Sequence, residues 1–102
     1  MRGYTVVLSR DPEAGGFTAS CPAMPGAASQ GETRDETLAN MAEAMAAWMD
    51  AAEERGTTPL PETANLIANE VAFVLGWRAE EGWDLAIETT VIPTTRLGRT
   101  AA

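Results

Sequence analysis

A chain of 102 residues with 45% hydrophobic content suffices for one domain with one modest core; a domain this short buries only about two thirds of its unfolded surface, so pairing with a copy or a partner would help it. Fifteen Asp and Glu against seven Lys and Arg, every one of the seven an arginine, leave a formal charge of −8, which excludes electrostatic attraction to nucleic acid or anionic membrane and favours a basic partner. The single Cys21 excludes an internal disulfide, and with no histidine in the chain a Cys/His metal site is excluded as well.

Tyr4 to Ser9 alternates, with Tyr4, Val6 and Leu8 on one face and Thr5, Val7 and Ser9 on the other, as a strand requires. Arg10-Asp11-Pro12-Glu13-Ala14-Gly15-Gly16 supplies the preset and positive φ values of a reversal. A second strand follows at Phe17 to Cys21, with Phe17, Ala19 and Cys21 on its apolar face. Pro22, Pro25 and Gly26 interrupt the ladder, and a short third strand is expected at Ala27 to Gly31.

Thr33-Arg34-Asp35-Glu36 has the form of a capping box and opens a helix. Leu38, Met41, Ala42, Met45, Trp48, Met49 and Ala52 recur at spacings of three and four as its apolar stripe, and Arg55-Gly56 suits its end. Met41, Met45, Met49 and Trp48 are therefore core residues rather than a ligand pocket, and Cys21 is a small buried hydrophobe. Thr57 to Glu62 is a short stiff connector.

From Thr63 to Glu81 two readings stand. Leu66, Ile67, Val71, Val74 and Leu75 keep helical spacing with Gly82 at the cap, while Val71, Phe73, Leu75 and Trp77 also alternate as a strand turning into Trp83. Trp83, Leu85, Ile87, Thr89 and Val91 alternate, which predicts a last strand over Trp83 to Ile92 ended by Pro93. Residues 1–93 are expected to form one domain and 94–102 a flexible tail. The fold class is α+β, a small antiparallel sheet in the order β-β-β-α-(α)-β backed by the long amphipathic helix. No apolar stretch has the length of a membrane span or follows the pattern of a signal peptide, and a soluble cytoplasmic protein is expected.

Tyr4, Gly15-Gly16-Phe17, Pro22-Ala23-Met24-Pro25-Gly26 and Ser29-Gln30-Gly31-Glu32-Thr33, followed by Glu36, Leu38, Asn40, Glu43 and Ala44, form a pattern that resembles the HicB-like antitoxin family. The resemblance implies a partial RNase H-like domain that neutralises a small basic toxin ribonuclease of the HicA type by covering its active site. Many members carry a further DNA-binding module. Here segment 63–82 lacks the basic face of a DNA reader, so operator binding is not expected.

An RNase H-like fold raises the possibility of a nuclease, which needs three or four carboxylates converging on two metal ions. The first three strands offer none, and without histidine the commonest general base is missing. No enzyme activity and no cofactor are expected. The expected contact residues are Glu36, Glu43 and Asp50, which recur every seven residues with Asn40 and Glu54 on the same acidic ridge, together with Ser29 and Gln30 on an edge strand open to strand addition. A solvated helix face would look the same. A homo-oligomer, dimer or tetramer, is expected in either case; the alternative to a toxin-binding protein is a stand-alone homo-oligomeric interaction or small-ligand module without a toxin partner.

Overall fold

The opening hairpin follows from its turn chemistry. In the computed structural model, which describes residues 3–99, β1 (Gly3–Arg10) runs into a loop where the Asp11 carboxylate accepts from the amides of Glu13 and Ala14, both at 2.9 Å. Gly15 and Gly16 then take φ values of 78° and 81°, which only glycine adopts freely. The chain returns as β2 (Phe17–Ser20), and β3 (Ala28–Gly31) adds beyond it. α1 (Arg34–Arg55), α2 (Ala64–Glu80) and β4 (Glu88–Pro93) complete an antiparallel sheet in the order β3-β2-β1-β4. Thr63–Glu81 is thus the helix of the two readings, with Thr63 as its cap.

One face of the sheet carries the core. Tyr4, Val6 and Leu8 share that face with Ala19 and with Ile92, which lies opposite Tyr4. Leu38, Met41 and Met45 of α1 close over them, joined by Ala23 and Met24 from the connector. Each of the buried Val, Leu, Ile and Met side chains contributes roughly 1.5–3 kcal/mol through burial. α1 starts where Thr33 Oγ1 accepts from the Glu36 amide at 3.1 Å, and ends where Gly56 turns left-handed and Thr57 donates to the Ala52 carbonyl at 2.8 Å. β3 meets the first turn of α1 so closely that a Cβ on Gly31 would stand 2.8 Å from both the amide and the hydroxyl of buried Thr37.

The second face is held differently. α2 carries Ile67, Val71, Phe73, Val74, Leu75 and Trp77, yet its one buried residue is Arg78. Three polar clasps fix this segment to the sheet. Glu62, just before α2, accepts from the Thr5 amide at 2.5 Å, Ser20 Oγ donates to Glu70 at 2.6 Å, and Arg78 Nη1 donates to Ser9 Oγ and to the Arg10 carbonyl, each at 2.6 Å. Arg78 Nε also donates to the Asp84 carbonyl at 2.6 Å, its Nη2 pairs with the Asp84 carboxylate at 3.1 Å, and its guanidinium lies 5.4 Å from the Trp83 ring centre.

Two expectations are corrected. The last strand begins at Glu88 rather than Trp83, because Asp84 accepts from the Ala86 amide and from Arg78, folding 83–87 into a loop around the guanidinium. Its inward residue is Ile92, while Val91, on the expected apolar face, points to the second side of the sheet and is exposed. Of the segment expected as a flexible tail, Thr94–Leu97 forms a 3-10 turn that buries Leu97 in the core, while residues 100–102 lie outside the described residues.

Replacing Arg78 by Met should lower the unfolding free energy by about 3 kcal/mol, because Ser9 Oγ and the Arg10 carbonyl lose their donor. Arg78→Lys should restore only part of that, since an ammonium lacks the planar fork. Gly31→Ala should cost about 1–3 kcal/mol from the clash with Thr37. Urea unfolding followed by circular dichroism reads all three.

Candidate partner-binding surfaces

The acidic ridge of α1 faces solvent opposite the core, with Glu36, Glu43, Asp50 and Glu54 exposed and Asn40 half-buried. Its two ends differ electrostatically. Arg99 Nη2 reaches Asp50 at 2.6 Å and Glu53 at 3.0 Å, so the C-terminal end is already paired within the chain. Among the described residues, no arginine pairs with Glu32, Glu36 or Glu43. Arg34 instead reaches across to Glu88 of β4 in a forked contact, which holds the Glu88 carboxyl below the usual carboxylate range.

The unpaired end of the ridge is continuous with the β3 edge. Asn40 Nδ2 donates to the Gln30 carbonyl at 2.9 Å, so α1 itself caps part of the edge expected to be open to strand addition. Beside it lies a shallow concavity of about 660 Å³ lined by Asp11, Gly16, Gln30, Gly31, Glu32 and Glu36 among others. Gln30 and Glu36 are brought together here, with Asn40 at the margin; Asp50 and Glu54 lie two or more turns along the helix. Glu32 was missed by the sequence reading, although it stands inside the Ser29-Gln30-Gly31-Glu32-Thr33 stretch. The three carboxylates surround the concavity without converging: among the described residues, no group of three or more Cys, Asp or Glu side chains is placed to hold a metal ion.

A second concavity, of about 510 Å³, lies between α2 and the second face of β2 and β3. Its floor is Thr18, Ser20, Ala28 and Gln30, and its wall is Phe73, Val74 and Trp77. Ser29 lines its outer margin. Trp77 is fixed edge-on against Trp83, with ring centres 5.0 Å apart. The double periodicity of Val71 to Trp77 concealed this wall, since the sequence does not show which side of a helix or strand those residues would face.

Cys21 is buried beside the connector, as expected of a packing residue. Burial pushes its thiol up to about 11, and the carboxylates of Glu62 and Glu70 add to the effect.

Two comparisons place the chain among known proteins. A family model described as "HicB_like antitoxin of bacterial toxin-antitoxin system" matches residues 4–77, from β1 to near the end of α2. The UPF0150 protein Ta0767 of Thermoplasma acidophilum is 40% identical over 47 residues, a stretch covering 46% of this chain and 67% of that protein.

At pH 8, iodoacetamide should alkylate Cys21 in the folded chain at least about tenfold more slowly than in the urea-unfolded chain. The small thiolate fraction outweighs the higher nucleophilicity of a high-pKa thiolate. Equal rates would show that the thiol is accessible and ionisable in the fold.

Proposed function

The chain belongs to the HicB-like antitoxin family of bacterial toxin-antitoxin systems, and on that premise we propose that it neutralises a small basic toxin ribonuclease of the HicA type by covering its active site. The observation that carries the reading is the acidic concavity beside β3, where Glu32 and Glu36 stand with Gln30 and no arginine among the described residues neutralises them. A net charge of −8 steers a basic protein toward the chain, and an unpaired acidic surface offers it the same kind of charge as its polyanionic substrate. Glu43 and Asn40 extend the surface along α1. Asp50 and Glu54 belong to its margin, because Arg99 already engages Asp50. Three antiparallel strands with α1 on one face support the partial RNase H-like reading of the domain.

Operator binding is not part of the proposal. The one cation of α2, Arg78, is buried. A second reading, a homo-oligomeric or small-ligand module without a toxin, is favoured by the groove on the opposite face, walled by Phe73, Val74 and Trp77.

The test is growth rescue. The product of the adjacent small reading frame is expressed in a bacterial host with and without this chain, and survivors are counted. Rescue with copurification of a stoichiometric complex is expected. Combining Glu32→Lys with Glu36→Lys should weaken the complex about a hundredfold and abolish rescue, whereas Asp50→Lys should change affinity less than about threefold. No toxicity to rescue, or no complex, would replace this reading with the second one. A complex indifferent to the double reversal would move the contact off the concavity.

A further inference from the structure

We propose that Glu88 keeps the acidic concavity available to a cationic partner by drawing Arg34, which stands two positions from both Glu32 and Glu36, across to β4. This role rests on the reading of the concavity as the toxin contact, and Glu88 performs it from outside, since it lines a separate depression with Arg10 and Phe17.

The charge order along the chain makes such a device necessary. Residues 32–36 read Glu-Thr-Arg-Asp-Glu. Two positions of chain span at most about 7 Å, which is within the screening length of about 8 Å at physiological ionic strength. A free guanidinium at 34 would therefore lower the negative potential around Glu32 and Glu36, or bond to one of them. Arg34 is also the first residue of α1, where the positive end of the helix dipole gives no support to a cation.

The fold settles where the guanidinium goes. Arg34 Nε donates to both carboxylate oxygens of Glu88, at 2.9 and 3.1 Å, and Nη2 donates to the same carboxylate. A single carboxylate that accepts from two edges of the fork holds an arginine more firmly than separate carboxylates along the chain can. Asp35, next in the sequence, stays 4.0 Å from Nη1. The ladder sets Glu88 in place, as the first residue of β4 and opposite Leu8.

The two side chains are 44% and 43% exposed, and an ion pair so exposed contributes little to stability. Its consequence is the distribution of charge. Arg34 and Glu88 neutralise each other, while Glu32 and Glu36 keep their charge. The other end of α1 shows the opposite outcome, because Arg99 pairs with Asp50 and Glu53 on the helix itself.

Titration of the isotope-labelled full chain with hexa-arginine at low salt, followed by NMR at the Gly31 and Glu32 amides, reads the concavity directly. Glu88→Gln should weaken this binding, and the toxin complex, about fivefold. Adding Arg34→Gln should restore affinity to within about twofold of the unsubstituted chain, because the released cation is gone. Glu88→Gln with Arg96→Gln, which also returns the net charge to −8 but leaves Arg34 free, should stay weak. If Glu88→Gln does not fold, as urea unfolding reads, Glu88→Asp takes its place, since the shorter side chain cannot complete the fork. A fork that merely supports the fold predicts that the second substitution rescues nothing. Absence of that rescue, unchanged affinity in the folded Glu88 variant, or no hexa-arginine response at Gly31 and Glu32 would overturn the proposal. Should the toxin complex survive Glu32→Lys with Glu36→Lys, the toxin reading falls, and the peptide titration alone then upholds or overturns the role of Glu88.

Discussion

One buried arginine sets the architecture of the second sheet face. Arg78 is 1% exposed, and its guanidinium joins β1 through Ser9 and Arg10 to the loop after α2 through Asp84. A buried guanidinium without partners would cost several kcal/mol, so the segments around it must keep these positions together. That requirement places the end of α2 over β1, bends residues 83–87 away from the sheet and delays β4 until Glu88. It also leaves the second face of β2 and β3 uncovered, because a helix pinned over β1 cannot lie across the whole sheet.

The two faces consequently obey different physics. Under α1, methionines and branched residues pack without charge, and the helix positions are those its apolar stripe dictates. Under α2 there is little such packing, and carboxylates and a guanidinium bond to strand hydroxyls and backbone groups instead. Hydrogen bonds of this kind are directional, so they fix a position while leaving space beside it. The groove walled by Phe73 and Trp77 follows from this mode of attachment. The external charge is also divided. Arg99 neutralises the C-terminal end of the α1 ridge, and the acidic character that remains available gathers near Glu32, Glu36 and Glu43, at the end joined to the β3 edge through Asn40 and Gln30.

Much of this was legible in the chain. Alternation in Tyr4 to Ser9, turn residues at Asp11 to Gly16, and caps at Thr33 and Gly56 are properties of neighbours within about four positions, and they located β1, the hairpin and α1, while residues 63–81 kept two readings. Gly31 belongs to the same class: the motif marks it, and its close approach to Thr37 gives the reason. The candidate site was legible in part. The spacing of Glu36, Asn40 and Glu43 placed them on one ridge, but not the neutralisation of Asp50, because Arg99 lies 49 positions away in a segment expected to be free. Val91 was placed on the apolar face because the alternation of Trp83 to Val91 continues through residues that tertiary contacts turn into a loop, and the inward residue is Ile92.

By itself the sequence determined the element order, the apolar stripe of α1, the acidic surplus and the family, since each is carried by composition or by spacing along the chain. Only the tertiary structure decided where α2 lies, which carboxylates remain unpaired and which half of the sheet stays open. Those outcomes rest on contacts between residues 50 and 69 positions apart, Ser20 with Glu70 and Ser9 with Arg78. A lone serine, glutamate or arginine carries no mark in the sequence of the partner it will meet, because the pairing depends on distances that exist only once the sheet has formed.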